Sequence, residues 1–168
     1  LIAQRKPFVK AGGLVLWYRG TRFRVNSGDS SVPVEIENVL GKAHVLAVLA
    51  GFAVGMSEGM DLATIAKRFV AHVTPPGRMR LLNGVTGTTI IDDSYNSSPV
   101  AALASLETLR DLPIEGRRIA AFGDMRELGQ LSHEAHEMVG KRAAEIVSLL
   151  VTVGEESGAL AQAALAAG

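Results

Sequence analysis

The stretch TTIIDDSYNSSPVAALASLETLRDLPIEGRRIAAF, residues 88–122, carries the reading on which the fold turns. It opens on a short apolar run, Thr88 to Ile91, passes through a polar loop, follows a helical pattern from Pro99 to Arg110, and closes on a second apolar run, Arg118 to Phe122. The alternation continues downstream with a helix from His133 to Val147, an apolar run from Leu149 to Val153 and a last helical stretch from Glu156 to Ala167. Short, wholly apolar strands separated by amphipathic helices are what a parallel sheet requires, because right-handed crossovers lay the helices over its faces. The reading is therefore α/β, with three successive βα units of a doubly wound parallel sheet. Such a sheet usually has five or six strands, so the domain is expected to be incomplete in these residues.

Upstream the pattern differs. Leu14 to Tyr18, Arg22 to Val25 and Val32 to Ile36 are β-prone runs, the first two joined by Arg19-Gly20-Thr21, and predict a small antiparallel sheet. From Ala43 to Met56 nearly every position is apolar, which predicts a helix covered on most faces, with glycines that permit close approach at some cost in helix propensity. Asp61 is placed to cap a following helix, whose apolar residues Leu62, Ile65, Ala66, Phe69 and Val70 recur at helical spacing and which ends near Val73. Pro75-Pro76-Gly77 then marks the expected boundary between residues 1–76 and 77–168.

Composition bounds the function. The 168 residues carry 17 basic and 17 acidic side chains, so bulk electrostatics cannot hold nucleic acid or an anionic membrane, and the partner is small or locally recognised. Cysteine is absent, which excludes disulfides, zinc-thiolate sites and a thiolate nucleophile and fits a cytoplasmic protein. The longest apolar run, Val45 to Met56, is well short of the roughly 20 residues that cross a bilayer. The chain starts at Leu1 with no targeting pattern, as expected of a fragment or processed piece.

In an open parallel sheet, ligands collect beyond the carboxyl ends of the strands. The first such place is Asp92-Asp93-Ser94-Tyr95-Asn96-Ser97-Ser98-Pro99, with Ser98 set to cap and Pro99 to begin the helix. Taken singly, Asp93, Asn96 and Ser98 are also the residues that satisfy turns and helix ends. The second is Gly123-Asp124-Met125-Arg126-Glu127-Leu128-Gly129, which reads equally as turn glycines around solvated charges. Gly154-Glu155-Glu156-Ser157 needs no chemistry beyond a turn and an acidic first helical turn. His133, His136 and Glu137 lack the spacing of a zinc site, so no metal ligand is assigned. No phosphate-cradling G-x-x-x-x-G-K-[ST] and no G-x-S-x-G elbow occurs.

Taken together, Pro76-Gly77-Arg78-Met79, the Ile90 to Pro99 loop, the Gly123 to Gly129 loop with Ser132 and His136, and Val153-Gly154-Glu155-Glu156 resemble the Mur ligases. The Gly41 to Gly51 helix is similar to the adenine-side helix of that family's central ATPase domain. The resemblance implies that residues 1–76 are the end of the central domain and 77–168 a Rossmann-like C-terminal ligase domain. It also implies an ATP-dependent amide ligase of peptidoglycan precursor synthesis, in which the terminal carboxylate of UDP-N-acetylmuramoyl-tripeptide becomes an acyl phosphate and the amine of D-alanyl-D-alanine displaces phosphate. ATP and Mg2+ are the implied cofactors, with the metal ligands and the P-loop expected outside this chain, which by itself would be inactive and monomeric.

By the same resemblance Arg78, Asp93, Tyr95 and Asn96 belong to nucleotide binding, and Asp124, Glu127 and His136 to the incoming dipeptide, with the carboxylates or His136 as acceptors of the amine proton. Ser98 stands where the family has asparagine, as does Ala47 in the central-domain helix. Two other readings stay open: a family relative with a different acceptor, and a non-enzymatic receiver-type module in which Asp92, Asp93 and Asp124 gather around magnesium.

Overall fold

A computed structural model describes residues 9–17 and 19–168. The initial Leu1 and the Tyr18 end of the first β-prone run lie outside the described residues. The chain forms two compact units: the described residues through Pro75 together with Arg80–Ile90, and Pro76–Met79 together with Ile91–Gly168.

In the first unit β1 (Lys10–Trp17), β2 (Gly20–Ser27) and β3 (Ser30–Glu37) form the expected antiparallel sheet in the order β1-β2-β3. The strands are longer than the apolar runs, because backbone pairing extends through polar residues: Gly20 pairs with Glu37 and Ser27 with Ser30. The β2–β3 connection is two residues, with Gly28 at φ +55°, a conformation that suits a tight hairpin and costs glycine little. Thr21, Phe23 and Val25 of β2 and Val34 and Ile36 of β3 point to one face and are buried.

That face packs on α1 (Lys42–Ser57) and α2 (Leu62–Phe69) through Val45, Val48, Phe52, Leu62 and Ile65. Phe52 and Phe69 stack with centroids 5.5 Å apart. The two glycines of α1 explain how α2 comes so close: a Cβ on Gly51 would sit 2.8 Å from Phe69 Cζ, and one on Gly55 2.9 Å from the Ile65 side chain. Asp61 caps α2 as expected, accepting from the Thr64 amide at 2.8 Å. Two expectations change. Helix α2 stops at Phe69, a turn before Val73, and α1 is buried along one stripe only, leaving Leu46 and Val54 exposed.

The remaining expected elements follow in order. The first unit also holds β4 (Arg80–Asn83) and the start of β5 (Thr89–Asp92), and the second unit holds the end of β5, then α3 (Pro99–Asp111), β6 (Ile119–Gly123), α4 (Ser132–Ala144), β7 (Leu149–Val153) and α5 (Ser157–Ala167). The Ser98 hydroxyl accepts from the Ala101 amide at 3.3 Å and Pro99 starts α3. Strands β6 and β7 pair in parallel, Ile119 opposite Leu149 through Gly123 opposite Val153. Strand β5 is bonded to β4 rather than to β6, a pairing favoured by the short loop between them, whose closure costs little entropy. Among the described residues no helix is long and apolar enough to cross a membrane.

The second core lies between the helices and one face of β6 and β7. It gathers Ala102 and Leu106 of α3, Val139 and Ala143 of α4, Leu160 of α5 and Met125 of the loop after β6. Arg142 ties α4 to α3 through Glu107 at 2.6 Å, and with Glu145 this partner raises its pKa. Helices α4 and α5 touch backbone to backbone at Gly140, where an added Cβ would overlap the Leu160 carbonyl oxygen. A backbone atom cannot swing aside as a side-chain tip can. Gly140→Ala is therefore expected to lower the melting temperature although alanine is the better helix former, with a loss of about 1–3 kcal/mol from overpacking. Leu160→Ala, at a fully buried site, should cost about 2–5 kcal/mol in chemical denaturation.

Candidate functional site

Both loops that the sequence singles out lie in the second unit, and both are built on carboxylates that accept backbone N–H groups. In the loop after β5, Asp92 Oδ2 accepts from the Gly77 amide at 3.0 Å, and its Oδ1 accepts from the Ser94 hydroxyl at 2.6 Å. Asp93 Oδ1 accepts from the Met79 amide at 3.0 Å, while its Oδ2 accepts from the Ser105 hydroxyl of α3 at 2.6 Å. The Tyr95 amide returns a bond to the Gly77 carbonyl at 3.2 Å. Residues 77–79 are thus clamped along the loop. Gly77 has φ +73°, and a Cβ there would lie 2.7 Å from the Tyr95 nitrogen, so the clamp requires glycine.

This clamp brings the predicted nucleotide residues to one corner. The Arg78 guanidinium lies over the Tyr95 ring, 4.2 Å from its centroid, and both side chains are exposed. Asn96 is beside them in sequence, its Oδ1 accepting from the Ser97 amide at 2.9 Å. Arg78 and Tyr95 offer a cation and an aromatic face to solvent. Asp93 faces the protein.

The second loop starts where β6 and β7 end level with each other, because Gly123 pairs with Val153. That register sets Asp124 beside the start of α5, where its Oδ1 accepts from the Ser157 amide at 2.8 Å. A carboxylate at a helix N-terminus satisfies an unpaired N–H and meets the positive end of the helix dipole. The Ser157 amide holds the Asp124 carboxyl below its ordinary range; burial opposes this, and the Ser157 hydroxyl and Arg126 reinforce it. Arg126 pairs with Asp124 Oδ2 at 3.0 Å and reaches toward Glu156 at 4.0 Å. Gly154, at φ +125°, leaves the space that the Asp124 carboxylate fills, and any Cβ there would overlap it. Glu127, at φ +65°, is exposed at the loop tip, a left-handed conformation that a non-glycine residue adopts only under constraint.

Of the dipeptide residues expected from the sequence, Glu127 is accessible and Asp124 is nearly covered, with 5% of its side chain exposed. His136 departs from expectation. It is fully buried, and its Nε2 already accepts from the Met125 amide at 3.0 Å, so it has no lone pair with which to take a proton from a bound amine. The three aspartates do not gather as a receiver module needs. Asp92 and Asp93 turn to residues 77–79 and Asp124 turns to Ser157. Among the described residues no group of three or more His, Asp or Glu side chains could hold a metal ion. The sequence reading missed Ser105 and Ser157 as partners of these carboxylates, and nothing in their local spacing marks them.

A family model described as "Mur ligase, glutamate ligase domain" matches residues 77–168. The chain is 31% identical to the UDP-N-acetylmuramoyl-tripeptide--D-alanyl-D-alanine ligase of Escherichia coli (strain K12), over 86% of this chain and 31% of that protein. It is 33% identical to the ligase of the same name from Mycobacterium tuberculosis (strain ATCC 25618 / H37Rv), over 79% and 27%. Among solved structures it is similar to MurF from Acinetobacter baumannii, with TM-score 0.81 and 26% identity over 94% of this chain and 34% of that one. It is also similar to the MurF ligase from Thermotoga maritima in complex with ADP, with TM-score 0.77 and 25% identity. The chain thus spans about a third of the length of these relatives.

The direction of the Asp124 shift fixes a pH dependence. A carboxyl whose pKa is lowered by folding adds stability above its ordinary value of 3.8, and that contribution is lost as pH falls through the lower native value. Asp124→Asn keeps the shape and loses the charge, so it should melt below wild type at neutral pH. Melting curves of the two proteins should converge well below pH 3.8, where wild-type Asp124 is itself neutral.

Proposed function

Since the chain belongs to the Mur ligase family, we propose that it is part of an ATP-dependent amide ligase that joins D-alanyl-D-alanine to UDP-N-acetylmuramoyl-tripeptide. Residues 1–76 form the end of the central ATPase domain in this reading, and 77–168 belong to the Rossmann-like C-terminal ligase domain. The observation that carries it is the pair of strand-end loops, 92–99 and 123–129, each fixed by aspartates and each presenting exposed polar side chains. Relatives named for the D-alanyl-D-alanine reaction, two of them at 31% and 33% identity, support the choice of acceptor.

The chemistry asks two things of the protein. The terminal carboxylate of the tripeptide attacks the γ-phosphorus of ATP and ADP leaves, giving an acyl phosphate; the dipeptide amine then attacks the carbonyl and inorganic phosphate leaves. A carboxylate is a poor electrophile at neutral pH, so the phosphoryl group supplies the leaving group. The incoming ammonium must lose a proton before it attacks and another as the amide forms. Arg78 and Tyr95 suit the nucleotide, the guanidinium toward anionic oxygens and the ring toward a planar face, with Asn96 adjacent. Asp93 acts here by holding residue 79 against the loop that bears Tyr95. Glu127 is the accessible carboxylate for the dipeptide ammonium, on a loop that Asp124 holds in place. ATP chemistry of this kind uses Mg2+, but the described residues offer it no fitting set of ligands. The chain also has no P-loop motif, so metal and phosphate contacts are assigned to residues beyond these 168.

The assay is phosphate release from ATP by the full-length protein with UDP-N-acetylmuramoyl-tripeptide, with and without D-alanyl-D-alanine. Dipeptide-dependent release is expected. Arg78→Ala should raise the KM for ATP about tenfold, the scale of one lost charge-assisted contact, and Asp93→Asn should remove most of the activity. Release that ignores the dipeptide but responds to another amine would move the protein to a relative with a different acceptor.

A further inference from the structure

We infer that His136 is the positioning residue of the 123–129 loop, held for that task by Ser132 and Glu156. The kinetic part of this inference rests on the ligase reading above; the structural part does not.

The Met125 amide is the next backbone donor after the residue that binds α5, and its acceptor is a side chain, His136 Nε2 at 3.0 Å. The hydrogen-bond pattern assigns the tautomer. Nε2 accepts, so the proton sits on Nδ1, which donates to the Ser132 carbonyl at 2.7 Å. Ser132 is fixed in turn, its hydroxyl donating to Glu156 Oε2 at 2.6 Å across to the start of α5. Both Met125 and His136 are buried to within 1% of full coverage. A buried N–H without an acceptor costs its full desolvation, so the imidazole cannot be removed without moving the peptide it holds.

Consecutive residues are therefore strapped to different helices, Asp124 to α5 and Met125 to α4. Two bonds on adjacent residues fix the direction in which the chain leaves β6. The next side chains, Arg126 and Glu127, are exposed. His136 thus sets where Glu127 stands without touching substrate, and its loss should weaken the acceptor and leave the nucleotide alone.

The test uses the full-length protein with His136→Leu, which removes the acceptor, and His136→Gln, whose terminal oxygen can still accept from the Met125 amide. Hydrogen exchange of the peptide containing Met125 is measured by mass spectrometry, alongside KM for D-alanyl-D-alanine and for ATP. Expected for His136→Leu is exchange faster by about tenfold and a dipeptide KM raised to a similar degree, with the ATP KM within about twofold of wild type, the scale of one lost buried bond. His136→Gln should restore most of both. Should His136→Leu not fold, Ser132→Ala decides through the same readings, with smaller changes in the same direction. Unchanged Met125 exchange in the variants overturns the inference. So does equal loss of activity in the Leu and Gln variants with the loop still protected, which would make the imidazole a direct participant. A wild-type protein without dipeptide-dependent activity would defeat the ligase reading while the exchange data still decided the role of His136.

Discussion

Asp124 on the Ser157 amide is the bond on which the second unit's functional geometry depends. Parallel pairing of Gly123 with Val153 brings the ends of β6 and β7 level, and the carboxylate then spans the gap to cap the helix that follows β7. Gly154 leaves room for it, since any side chain there would displace the carboxylate. With residue 124 fixed, Met125 turns inward among Leu106, Val139 and Leu160, and its amide meets His136. One charge-assisted bond thus couples a strand end, a helix start and a core side chain. The loop after β5 repeats the principle, with Asp92 and Asp93 holding the Gly77 and Met79 amides.

This construction separates two jobs within one run of polar residues. The aspartates face inward and stabilise backbone, and the exposed positions between them present the side chains: Arg78 and Tyr95 at one loop, Arg126 and Glu127 at the other. In a chain with 17 charges of each sign, recognition by net field is not available, so selectivity must come from where individual groups are held. A carboxylate already seated on amides makes a firm anchor because its charge is offset by the dipoles around it.

The element order from β5 to α5 was legible because its strands are built mainly from apolar residues and its first helix starts with a readable signal, Ser98-Pro99. The hairpin sheet was legible too, though its polar ends were not, since ladder pairing extends past the residues that are buried. What the sequence could not show is long-range. Nothing near Ser105 announces that it will meet Asp93, twelve residues away, and nothing near Ser157 announces Asp124, thirty-three away. Periodicity also overstates burial: α1 is apolar nearly throughout, yet its Leu46 and Val54 are exposed, because two partners cover one stripe of a cylinder.

His136 illustrates why residue type alone misleads. Histidine in a loop-and-helix motif beside carboxylates suggests proton transfer, and at an exposed site that would be the natural role. Burial reverses the argument. With Nδ1 donating to the Ser132 carbonyl and Nε2 accepting from Met125, both ring nitrogens are spent on the fold. The Gly-Asp-Met order of the loop then has a physical reading: Gly123 continues the strand pairing, Asp124 binds a helix end, and Met125 plugs the core while its amide engages the imidazole. Three of the residues that identify the motif are thus explained by folding. In the proposed reading, the burden of touching a substrate falls on the positions they leave exposed, of which Glu127, held at positive φ, closely follows the two fixed residues.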